Sequence, residues 1–190
     1  MTDALIACRG AVALHWHLGV VSAREHFAMI GWRTSPPSVD GGIPVSVVQV
    51  LATALASIAD IAFIGADGTV ITARSVDDAT QAFDLPQQPW TLQAQTILLL
   101  QPRFTSIALD RSGIRRILSD DWKSQVQSLA GAGVVGAVRP GVDGDVAGIC
   151  SLTAEIESRL IDALSREARK AGFACIECDE SAFAEALAAD

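Results

Sequence analysis

The chain has no tyrosine, and its 190 residues include only six phenylalanines and four tryptophans. Few rings are left to stack on bases, which excludes a single-strand nucleic-acid platform built on aromatic side chains. Basic residues are also few: 14 Lys and Arg stand against 22 Asp and Glu, for a net charge of −8. No basic run offsets that surplus, and such a surface repels a phosphate backbone, so no nucleic-acid partner is expected. Cysteine is confined to positions 8, 150, 175 and 178, far from the density of a secreted disulfide scaffold. The opening "MTDALIACRG" carries an acid where a signal peptide carries lysines, and its apolar run is short. Both points place the protein in the cytoplasm with reduced thiols.

Long apolar runs are nearly absent as well. The longest uncharged stretch, Gly41 to Ala59, opens with two glycines and a proline and contains Ser, Gln and Thr. What remains is short for a bilayer, so a buried core helix is expected rather than a membrane span. What the chain does have is apolar mass. Half of its residues are hydrophobic and 19% are charged, a composition that buries a core and does not stay disordered. The length suits one domain over residues 1–190, with a sub-boundary possible at the "LPQQPW" break near 86–90.

Periodicity predicts the elements. "AVALHWHLGVV" (11–21) alternates and reads as a strand. "SARE" then reads as a capping box, with a short helix from Ser22 to about Ile30. "GWRTSPPSVDGGIP" is a loop by its Pro and Gly content, with Pro44 at the first turn of the buried helix. Two β-rich runs flank Gly65-Ala66-Asp67-Gly68, a hairpin in which glycine supplies positive φ. Ser75 caps a short helix, "TLQAQTILLLQ" and "FTSIALD" read as strands, and an amphipathic helix runs from about Ser112 to Leu129. "VVGAV" and "AGICS" are strands. Residues 153–171 form a helix closed by Gly172, followed by the strand "FACIEC" and the helix "ESAFAEALA". The expected class is α+β: a mixed, partly antiparallel sheet covered by three main helices near 45–59, 113–129 and 153–171, with a C-terminal strand-helix-strand-helix run.

Three constellations bear on chemistry. "GAGVVG" (131–136) matches G-x-G-x-x-G, but that fingerprint needs glycines that leave a strand and enter a helix. Here a helix precedes them and a strand follows, and Glu155 and Glu157 fall in a helix start rather than on a strand end. No dinucleotide site is predicted, and Gly131 or Gly133 is read as a left-handed helix C-cap. His15 and His17 are two apart on a predicted strand, and His26 follows within reach, a set with the ligand types of an open zinc site. Cys175 and Cys178 make C-x-x-C, the spacing of a thiol couple or half a zinc site. On a continuous strand, however, residues three apart point to opposite faces. The acids at 143–145 lack the remainder of a calcium loop. Residues 55–73, "LASIADIAFIGADGTVITA", resemble the opening of a PAS-type sensor domain, but the later elements do not complete that fold and no site is carried over from it.

Sparse reactive groups and an apolar composition point to a non-catalytic accessory or binding protein acting through an apolar pocket or a protein interface. A protein partner or a second copy would complete its apolar surface. The alternatives are a metal-binding protein or metalloenzyme using His15, His17 and His26, with a metal ion as cofactor, and a thiol-redox protein using Cys175 and Cys178.

Overall fold

Residues 96–100, Thr-Ile-Leu-Leu-Leu, offer no polar face, and a strand of that kind needs cover on both sides. The computed structural model describes residues 3–17, 20–34, 45–78, 94–102, 111–140 and 146–189; for residues 9–26 the description is of backbone only. The elements run β1 (Ala4–His17), β2 (Val20–Arg33), α1 (Val45–Ala56), β3 (Asp60–Gly65), β4 (Val70–Ala73), β5 (Ala94–Leu100), α2 (Arg111–Ile117) and α3 (Trp122–Ser128). They continue with β6 (Val134–Pro140), β7 (Val146–Ser151), α4 (Ala154–Lys170), β8 (Ala174–Cys178) and α5 (Glu180–Ala188). Among the described residues the strands form one eight-stranded sheet in the order β4-β3-β5-β6-β7-β2-β1-β8. Neighbours pair antiparallel except β1 with β8, which are parallel. The class is α+β, with a mixed sheet and helices on both faces.

Alternation along β5 divides the core. Ile97 and Leu99 pack on one face with α1 and α4; Leu98 and Leu100 pack on the other with Trp122 and Val126 of α3. A third apolar group, built on Ala4, Ile6 and Cys8 of β1, lies beneath Phe183 of α5. Each fully buried Leu or Ile contributes about 1.5–3 kcal/mol, so this two-sided packing dominates the energetics. α1 buries Val47, Val48, Val50, Leu51, Ala52, Ala54 and Leu55 against α4 and the sheet, as expected of a core helix. No helix among the described residues is long and apolar enough to cross a membrane.

Several expected elements stand where the sequence places them. The hairpin of β3 and β4 turns on Gly68 at φ 83°, and Asp67 braces it by accepting from the Thr69 amide at 2.9 Å. The Asp78 amide donates to Ser75 Oγ at 3.1 Å, the expected cap, although the helix beyond residue 78 lies outside the described residues. Gly133 is left-handed at φ 94° after a 3₁₀ turn (Ala130–Ala132), and β6 starts at the next residue. The glycine pattern therefore leads from helix to strand, the reverse of what a dinucleotide loop needs. Gly172, at φ 89°, closes α4.

Other expectations need correction. The short helix at Ser22–Ile30 is part of strand β2, which runs on through Trp32 and Arg33 of the expected loop. Pairing with β1 on one side and β7 on the other outweighs the local capping signal of "SARE". The single helix at 113–129 is two, α2 and α3. The break is stabilised from outside: Arg139 of β6 donates to the carbonyls of Ser119 at 2.6 Å and Leu118 at 3.3 Å, which satisfies α2's free end. The expected strand "FTSIALD", the "LPQQPW" break, Pro44 and the acids at 143–145 lie outside the described residues.

Close approach of β6 to β7 depends on the absence of a side chain. A Cβ on Gly136 would lie 2.9 Å from the Cys150 carbonyl oxygen, whereas one on Gly131 would meet nothing within 4 Å. Gly136→Ala is expected to lower unfolding stability by about 1–3 kcal/mol through overpacking. Gly131→Ala is expected to leave it unchanged or slightly raised. Urea titration of both variants checks the contrast.

Candidate functional site

Four chain segments end near one another at one corner of the α1/α4 face. α1 stops at Ala56, and its last turn is closed by the amides of Ile58 and Ala59, both donating to the Leu55 carbonyl at 3.2 Å. β5 and β6 lose register between Leu99 and Leu100: Leu99 faces Gly136 but Leu100 faces Val134, so Val135 stands without a ladder partner on β5. Such a bulge bends the sheet locally. α4 begins at the same place. Thr153 Oγ1 accepts from the Ile156 amide at 3.2 Å, a side-chain N-cap.

Between these ends lies a cavity of about 370 Å³. Ile58, Ala59, Leu99, Leu100, Val135 and Ile156 give it an apolar floor and walls, and Pro102 continues that surface. Gln101, Thr153, Glu155 and Arg159 supply its polar groups. Glu155 and Arg159 are exposed and four apart on α4, so both charges lie on one side of the mouth. The lining is mainly apolar, and both of its charged residues come from α4. The Arg166 guanidinium donates to Ser57 Oγ at 3.3 Å and ties the end of α1 to α4, which keeps the two walls in place. A cavity left by truncating one leucine is about 150 Å³, and ligand pockets begin at about 300 Å³. This one is large enough to take a small molecule or an inserted side chain.

The thiol and histidine candidates are distributed differently. Cys175 and Cys178 both lie on β8, and alternation puts them on opposite faces. Cys175 packs toward the α4 side, its thiol donating to the Ser165 carbonyl at 3.4 Å, and Cys178 packs with the group beneath Phe183. Burial pushes both thiols above the usual cysteine range; nearby Arg169 opposes this at Cys175, and Asp179 adds to it at Cys178. The structure does not bring this pair together. Across the sheet, Cys178 is instead opposite Cys8, a juxtaposition that spacing along the chain does not reveal. His15 and His17 belong to β1 and His26 to β2, opposite Val12; His26 is therefore in a strand and not one turn into a helix. The side chains of all three lie outside the described ones. Among the described residues, no group of three or more His, Cys, Asp or Glu is placed to hold a metal.

Comparison of the chain with protein-family models, with curated proteins and with solved structures finds no match.

No sequence signal marks the cavity residues as a site, and Glu155 stands out only for its place at a helix start. They come from α1, β5, β6 and α4, and only the packing of those elements joins them. Thr153 has a double place here, as cap of α4 and as wall of the cavity. Thr153→Ala is expected to cost about 1 kcal/mol of stability. Thr153→Ser, which keeps the capping hydroxyl, should lose far less, and thermal or urea unfolding of the two variants checks this.

Proposed function

We propose that this chain is a non-catalytic binding or accessory protein. Its cavity between α1, α4 and the ends of β5 and β6 receives an apolar ligand, or an apolar side chain of a protein partner. The single observation that carries this reading is the cavity itself, with a mainly apolar lining and a few polar groups from Gln101, Thr153, Glu155 and Arg159. An apolar lining with a few convergent polar groups is the general form of a small-molecule site. Burial in such a space draws on apolar contact, at roughly 25 cal/mol per Å² removed from water. Glu155 and Arg159 then set the orientation of an occupant rather than its affinity, because exposed charges contribute little.

A protein partner is favoured by a second observation. Val70 and Ile71 are 37% and 44% exposed, large apolar groups on β4, which is an edge strand among the described residues. Edge-to-edge pairing with another chain would cover them. Both readings fit a cytoplasmic protein in which no disulfide joins the described cysteines.

The test uses 8-anilinonaphthalene-1-sulfonate, whose fluorescence rises in an apolar site. Ile156→Trp and Val135→Phe fill the cavity and are expected to reduce bound-probe fluorescence several-fold at unchanged far-UV circular dichroism. Val70→Ser with Ile71→Ser is expected to leave probe binding in place and, where light scattering shows a dimer, to weaken that dimer. Loss of the probe signal only in the edge-strand variant contradicts the cavity reading. A strictly monomeric protein that retains no partner removes the interface reading.

A further inference from the structure

Parallel pairing of β1 with β8 brings together two thiols from opposite ends of the chain. Cys8 stands directly opposite Cys178 in that ladder. Both belong to the apolar group that also contains Met29 and Phe183, so they share one face of the sheet. Neighbouring strands run about 4.8 Å apart, inside the Cα separation of about 4.4–6.8 Å that disulfides span. The pair is also the last rung of its ladder. β8 stops at Cys178, and the register of β1 against β2 shifts just beyond Cys8. A ladder end with an irregularity beside it can adjust its backbone to bring two sulfurs into bonding geometry.

Access is asymmetric. Cys8 is buried, while Cys178 is half-buried on an edge strand, so a small reagent from solvent meets Cys178 first. Cys175 is on the other face with its thiol turned to the Ser165 carbonyl, and it cannot serve as the second sulfur.

We propose that Cys8 and Cys178 form a reversible disulfide when the protein meets a peroxide, a modification site that clamps edge strand β8 to β1. The Cys178 thiolate attacks the peroxide O–O bond, becoming a sulfenic acid as water leaves. The Cys8 thiolate then attacks the Cys178 sulfur and displaces the hydroxyl, which departs as a second water. The two thiols lose two electrons and two protons, and hydrogen peroxide takes up both to become water. Excess dithiol reverses the bond by exchange. Burial holds both thiols high, and at Cys8 the neighbouring Cys178, Glu180, Asp179 and Glu157 add to that effect. The reaction is therefore slow compared with that of an activated cysteine. Closing nearly the whole chain into one loop restricts the unfolded state, so the bridged form should resist heat better than the reduced form.

The folded wild-type protein is treated with hydrogen peroxide, quenched in acid, alkylated and digested without reductant. The expected product is a peptide pair joining residue 8 to residue 178 that dithiothreitol separates, with a raised melting temperature before reduction. Cys175→Ser should still form it, and Cys178→Ser should not. The crosslink map of the wild-type chain decides the matter even if Cys8→Ser folds poorly. A bridge between 175 and 178 overturns the proposal. So does recovery of Cys8 and Cys178 only as free or over-oxidised thiols.

Discussion

Burial of both faces of one sheet is the constraint on which the rest of the structure depends. β5 shows it most plainly: Ile97 and Leu99 are fully buried toward α1 and α4, and Leu98 and Leu100 are buried toward α3. A strand with no wet face forces helices onto both sides, and the chain supplies them in two sets, α1 with α4 and α2, α3 with α5. Trp122 and Lys123 seat α3 on the sheet, the Lys123 ammonium lying 3.6 Å above the Phe27 ring. Gly148 leaves room for that contact, since a Cβ there would come within 3.0 Å of Phe27. At the far edge, Arg33 of β2 donates to the carbonyls of Ala186 and Ala189 and holds the end of α5. Asp179 caps the start of α5 by accepting from Ser181 and Ala182, and these hydrogen bonds hold its carboxyl below the usual carboxylate range.

The candidate cavity follows from the same constraint. Helices of finite length cannot cover every strand end. α1 stops at Ala56 and α4 starts at Ala154, and the bulge between Leu99 and Leu100 falls in the gap between them. The uncovered surface there is core surface, apolar because it continues the rows of β5 and β6. A ligand or a partner's side chain would complete what the helices leave open.

Elements whose signals are local were legible in the sequence. α1, the Gly68 hairpin, α4 with its Gly172 stop, β8 and α5 each depend on periodicity or on a residue within one turn. What was not legible depends on distant partners. β2 carries a helix-start signal at Ser22 and is a strand because β1 and β7 flank it. The break between α2 and α3 is stabilised by Arg139, about 20 residues on. The cavity draws on four segments, and the opposition of Cys8 and Cys178 exists only because the chain's two ends pair in parallel. Nothing within a window of ten or fifteen residues encodes either one.

The most direct measurement of whether the cavity is a binding site is a methyl NMR titration of Ile, Leu and Val-labelled protein with an apolar probe such as 8-anilinonaphthalene-1-sulfonate. The expected result is saturable shifts concentrated on the methyls of Ile58, Leu99, Val135 and Ile156, with those of Leu100, Val70, Ile71 and Ile6 unmoved. Shifts centred on Val70 and Ile71, or spread evenly over both faces of the sheet, would contradict it.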